Sequence, residues 1–147
     1  MDQALQERIH KVLERRERER QATAALEGDE FRMAREAHER IVSEIPAALA
    51  RLKAAVDEVN DAVSDSDLRL IQDGVEQPFT IEASFQVSIW PDDDRHLALM
   101  FNVSHDGKLI ALLCNRQSRV RLNTCDIWAA DRRFFQDALV SLLEAAA

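Results

Sequence analysis

Asp92, Asp93 and Asp94 stand in a row before Arg95 and His96, inside the stretch "SIWPDDDRHLALMF". Three carboxylates and an imidazole are the donor types that hold a divalent cation or move a proton. Their spacing argues against both uses. Consecutive residues of an extended or turn segment point in different directions, and a calcium loop alternates its ligands around a bend glycine. Asp92, Asp94 and His96 could hold at most a weak divalent ion, and the aspartates are expected to form a hairpin tip. Pro91 stops the preceding strand.

Other chemistry is sparse. No HExxH, GxxxxGK[ST] or GxGxxG occurs, no serine sits in a nucleophile elbow, and tyrosine is absent. Cys114 and Cys125 form no CxxC pair and are too few for a disulfide framework. No catalytic residue, metal site or cofactor is expected, and an enzyme is disfavoured. Arg119 and Arg121 alternate on one predicted strand near Arg116, with Arg132 and Arg133 further on. Such a set suits a phosphate, a carboxylate or an acidic partner, or salt bridges to the chain's own surplus acids.

The positioning elements follow from periodicity. The chain has 147 residues, 46% hydrophobic and 31% charged, with a formal net charge of −8. That size suits one ordinary domain with an appendage. The charge disfavours nucleic acid and anionic membranes. The N-terminus has no signal-peptide pattern and no apolar run reaches membrane-spanning length, so the cytoplasm is the expected location.

Residues 2–27 read as a helix with Leu5, Ile9, Val12 and Leu13 on one face. Residues 1–28 balance six acids against six bases, and "ERRERERQ" reads as a solvated helix face. Gly28 and Asp29 offer a stop and a new cap, which favours a helical hairpin over one long helix. The second helical stretch, about 30–63, carries a heptad seam: His38, Val42, Ile45, Leu49, Leu52, Val56, Val59 and Val63. Ile41, Ala48, Ala55 and Ala62 widen it, and Pro46 predicts a kink near 42–46. His38 is an unusual seam residue that could sense pH.

From residue 64 the period falls to two. A short strand is expected within 67–74, then an alternating one from Phe79 to Trp90. Strands at Leu97–Val103, Lys108–Asn115 and Arg119–Cys125 follow. Asp106-Gly107 predicts a two-residue type I′ turn. Together the turns set a register: Phe85 opposite Phe101, Val87 opposite Leu99, Val103 opposite Ile110, Phe101 opposite Leu112, Cys114 opposite Val120, Leu112 opposite Leu122 and Cys125 opposite Leu109. One face then collects Phe85, Val87, Phe101, Val103, Ile110, Leu112 and Leu122. The other holds Met100, Leu109, Ala111, Leu113 and Cys125 among polar residues, Arg119 and Arg121 included. A one-residue slip in any hairpin would reverse that strand. A final helix carries Phe134, Phe135, Ala138, Leu139, Leu142 and Leu143 as its apolar stripe.

The expected class is α+β: long N-terminal helices, as a hairpin or coiled coil, then a four- or five-stranded antiparallel meander and a C-terminal helix. The expected division is 1–63 and 64–147, with the second helix joined to the sheet. The expected function is a self-associating protein-interaction module. The seam would make a homodimer, and Met100, Leu109, Leu113, Arg119 and Arg121 would face a protein partner. A chaperone-like polypeptide binder is one alternative. A small-molecule sensor or enzyme with a pocket between sheet and helices is the other.

Overall fold

The computed structural model describes residues 2–74, 83–92 and 94–147. The predicted strand positions Phe79 to Glu82, and Asp93, lie outside the described residues. The elements run α1 (Gln3–Ala62), β1 (Arg69–Gln72), β2 (Ser84–Trp90), β3 (Ala98–Val103), β4 (Lys108–Cys114), β5 (Arg119–Asp126), a 3-10 turn (Ile127–Ala129) and α2 (Arg132–Ala146). The α+β class, the five-stranded antiparallel meander and the terminal helix stand as expected. The helical hairpin does not.

α1 is one helix of 60 residues, running through both Gly28 and Pro46. Gly28 costs roughly 1 kcal/mol relative to alanine, which is too little to end a helix with good helix formers on both sides. Asp29 pairs with Arg32 at 3.2 Å, one turn on. Pro46 lies on the exposed side of the helix, where water can serve the carbonyl it leaves without a donor. The chain divides into two compact units, Met1–Ala37 and His38–Ala147.

In the second unit, α1 and α2 bury their apolar stripes against one face of the sheet. The core joins Ile41, Ile45, Ala48, Leu52, Ala55, Val56 and Val59 of α1 to Phe134, Phe135, Ala138, Leu139 and Leu142 of α2. Phe101 meets Phe135 edge-on with ring centroids 5.3 Å apart, a favoured aromatic geometry. Burial of this apolar set supplies most of the drive to fold. Asp131 caps α2 by accepting from the Phe134 N–H at 3.0 Å.

The sheet order is β1-β2-β3-β4-β5 with every neighbouring pair antiparallel. β2 and β3 pair as read, with Phe85 opposite Phe101 and Val87 opposite Leu99. The next hairpin is one residue off. Val103 faces Leu109, and Phe101 faces Ala111. The loop is His105–Gly107, closed by Ser104 N–H donating to the Lys108 carbonyl at 2.9 Å. Only Gly107 takes a left-handed conformation, at φ 79°, whereas a type I′ turn needs positive φ at Asp106 as well. A three-residue loop with glycine in the left-handed position replaces it. Leu109 and Ala111 therefore turn inward, both fully buried, while Ile110 and Leu112 turn outward.

The last hairpin is also one residue off at its start, with Cys114 opposite Arg119, Leu113 opposite Val120 and Leu112 opposite Arg121. A bulge between Ala111 and Leu112 then absorbs the difference. Leu122 is the extra residue, and it packs against the core as expected. Beyond the bulge Leu109 faces Cys125, as the sequence register has it.

An asparagine closes the β1 edge. The Asn60 side chain accepts from the Leu70 N–H at 2.8 Å and donates to the Leu70 carbonyl at 3.0 Å. Leu70 pairs with Ile89, and its own backbone groups point away from β2. The Asn60 amide takes the place of a further strand there.

Candidate functional site

The helices cover one face of the sheet, so the other face is the candidate surface. Its composition follows from the observed registers. One row runs Ile71, Ser88, Ala98, Cys114, Arg119 across all five strands, and the next runs Gln86, Met100, Leu112, Arg121. A third runs Ser84, Asn102, Ile110, Thr124. Trp90 extends the face at the end of β2 and is 55% exposed, with Ile71 at 46%. Met100, Ile110, Leu112 and Cys114 are half-buried by their neighbours. The centre is thus apolar and the rim polar.

The rim is charged by strand. Asp73 follows β1 and accepts from the Ser88 hydroxyl at 3.3 Å. Arg119 and Arg121 stand exposed on β5. Burial raises the Cys114 thiol above its ordinary value, and the nearby Arg119 opposes that weakly. Burial also raises Cys125, with Asp126 and Asp131 adding to it. A raised thiol gives less thiolate near neutrality than an ordinary one.

Of the residues singled out on this face, Met100, Arg119 and Arg121 are brought together. Leu109 and Leu113 are not, because the β4 register places them on the helix-covered side, Leu109 fully buried and Leu113 packed against the core. Ile71, Trp90, Ile110, Leu112 and Cys114 take their place. The available signal was the triplet His105-Asp106-Gly107, which accommodates a three-residue loop as readily as a two-residue one.

The heptad seam lies largely inside the chain's own core. Ile45, Leu52, Val56 and Val59 are buried, while His38, Val42, Leu49 and Val63 are half-buried. The sheet and α2 occupy the face that a partner helix would need. The uncovered apolar side chains of α1 lie earlier. Leu5, Ile9, Val12, Leu13, Leu26, Phe31 and Met33 are 45 to 71% exposed.

Asp92 and Asp94 lie in the connection between β2 and β3. Asp94 and His96 adopt left-handed backbone at φ 67° and 53°, tolerable for these residue types. His96 Nδ1 lies 3.0 Å from Asp92 Oδ2, and its Nε2 lies 2.8 Å from an Arg116 nitrogen. Arginine only donates, so Nε2 is the acceptor in that contact. Arg95 donates to the carbonyls of Ala145 at 2.8 Å and Ala146 at 3.2 Å. It thereby satisfies the C-terminal end of α2. The segment ties strand connections and helix end together. Among the described residues no three His, Cys, Asp or Glu side chains converge as a metal site, and no helix is long and apolar enough to cross a membrane.

The sequence matches no known family, no curated protein and no solved structure.

Proposed function

We propose that this chain is a non-enzymatic, self-associating protein-interaction module. α1 brings copies together, and the uncovered sheet face receives a protein partner. The observation that carries the reading is the exposed apolar set on α1, from Leu5 to Met33. Seven large apolar side chains on one solvated helix segment are a standing gain of about 25 cal/mol per Å² for any partner that covers them. The neutral, charge-balanced background of residues 1–28 keeps that segment soluble without opposing association. A cytoplasmic location belongs to the same proposal, and the two free thiols suit a reducing compartment.

Sedimentation equilibrium of the full chain tests the reading. A concentration-dependent dimer is expected, and a monomer at tens of micromolar refutes it. A chaperone-like variant of the reading is favoured by one feature, the half-buried Met100 at the centre of the open face. Methionine adapts to varied apolar ligands. Suppression of aggregation of a denatured client, lost on Met100→Asp and Leu112→Asp, supports that variant. An unaffected client curve removes it. A sensor reading would place its ligand on the same open face, where the depression lined by Asp73, Ser84, Gln86 and Met100 holds about 310 Å³, at the low end of the usual range for ligand pockets.

A further inference from the structure

Among the exposed residues of α1, one set follows an alternation of four and three, with Leu13 and Phe31 lying beside it. The positions are Leu5, Ile9, Val12, Arg16, Glu19, Thr23, Leu26, Glu30 and Met33. All are exposed. This is a heptad frame with Ile9, Arg16, Thr23 and Glu30 in one core position and Leu5, Val12, Glu19, Leu26 and Met33 in the other. Two charged residues, Arg16 and Glu19, sit in its middle. Within the chain Arg16 has no ion-pair partner among the described residues, and Glu19 has only a contact to Arg15 at 3.9 Å.

Those two charges select one way for the segment to meet a second copy. A parallel, in-register pair sets Arg16 against Arg16 and Glu19 against Glu19, two like-charge contacts in the seam. An antiparallel pair centred between residues 17 and 18 sets Arg16 against the partner's Glu19, and the reverse. The same register places Ile9 on the partner's Leu26 and Val12 on the partner's Thr23, brings Arg8 beside the partner's Asp29, and leaves its one unmatched charge, Glu30 opposite the partner's Leu5, at the two ends of the seam where water reaches it. Sliding by one heptad puts Arg16 against Leu26 in one direction and against Val12 in the other, burying a charge with no counter-charge. We propose that residues 5–30 of α1 form an antiparallel coiled coil with the same residues of a second copy, locked in register by two reciprocal Arg16–Glu19 pairs. A two-fold contact of this kind closes on itself and makes a dimer, not a filament. The proposal rests on the self-association described above and specifies its geometry.

Cross-linking in the full chain distinguishes the two levels. Ile9→Cys and Leu26→Cys are made separately in a chain with Cys114→Ser and Cys125→Ser. In the antiparallel register the two copies of residue 9 are offset by the span from 9 to 26, about 25 Å along the helix. An equimolar mixture oxidised mildly is expected to give disulfide-linked heterodimer at least about tenfold above the homodimer from either variant alone. A strong Ile9→Cys homodimer overturns the register. Charge reversal gives an independent readout. Arg16→Glu and Glu19→Arg are each expected to weaken the dimer at least about tenfold, and the double change Arg16→Glu with Glu19→Arg to restore it. Unchanged dimerisation of the single variants overturns the proposal while self-association stands. A monomeric parent chain overturns both.

Discussion

Asn60→Ala should separate the β1 edge from the rest of the sheet. The Asn60 amide satisfies both backbone groups of Leu70, at 2.8 and 3.0 Å, and Leu70 is only 4% exposed. Leaving a buried donor or acceptor without a partner costs about 1–3 kcal/mol each. Water reaching the strand edge recovers part of that, so about 2–3 kcal/mol is expected, a roughly 30- to 150-fold change in the folding equilibrium. Urea unfolding followed by Trp90 and Trp128 fluorescence should show a lower midpoint with an unchanged slope, and the Leu70 amide should lose protection from hydrogen exchange. Asn60→Asp adds a sign. A protonated carboxyl can accept from Leu70 N–H and donate to its carbonyl, whereas the ionised form faces that carbonyl oxygen with no proton. The introduced group is therefore raised in the folded state. Its stabilising contribution is present below the ordinary carboxyl value and lost as pH rises through the raised one. A cost for Asn60→Ala below about 0.5 kcal/mol, or an Asn60→Asp deficit that does not grow between acidic and neutral pH, would refute the assignment of Asn60 as a surrogate strand.

Gly107→Ala should destabilise by at least about 1 kcal/mol, from the left-handed φ of 79° alone. The added methyl would also meet Ile41 Cγ1 and the Trp128 ring at 3.2 Å, so altered Trp128 fluorescence should accompany the change. Lys108 donates to Asp126 at 2.5 Å, and that hydrogen bond, with the Asp126 charge, raises the amine above its ordinary value. The pair's contribution is present below the ordinary lysine value and lost as pH rises through the raised one. The difference in stability between the parent and Lys108→Met should therefore shrink in alkaline solution and stay constant near neutrality. Asp131→Ala removes the α2 cap and should cost about 1 kcal/mol by urea unfolding. Cys114 and Cys125, both raised by burial, should react with iodoacetamide at neutral pH more slowly than in the unfolded chain. Equal rates would show that neither thiol is shielded.

How far the fold could be read varied with how local its causes are. The change from helical period to period two near residue 64 fell where α1 gives way to β1. The β2 and β3 pairing was legible because Phe85, Val87, Leu99 and Phe101 each must face the core. Gly28 and Asp29 carry a local stop signal, yet α1 runs through them because the glycine costs only about 1 kcal/mol. The open face was read half correctly. Met100, Arg119 and Arg121 belong there, but Leu109 and Leu113 exchange places with Ile110 and Leu112 through one residue of loop length. Both alternatives, Leu109 with Ala111 or Ile110 with Leu112, present apolar side chains, so hydrophobicity alone does not choose between them.

The sequence by itself determined the class of each segment. Period and the apolar stripes of α1 and α2 are local properties, repeated along the chain, whereas turn residues such as Asp106-Gly107 mark where a connection falls and not its length. Tertiary structure alone decided which apolar stripe of α1 is already spent. The seam from His38 to Val63 and the frame from Leu5 to Met33, interrupted by Arg16, Glu19, Thr23 and Glu30, share one spacing. Only the sheet and α2, closing over Ile45, Leu52, Val56 and Val59, remove the first from contact with a partner and leave the second exposed. The physical reason is that burial is a property of what surrounds a side chain in space, and spacing along one helix carries no record of it.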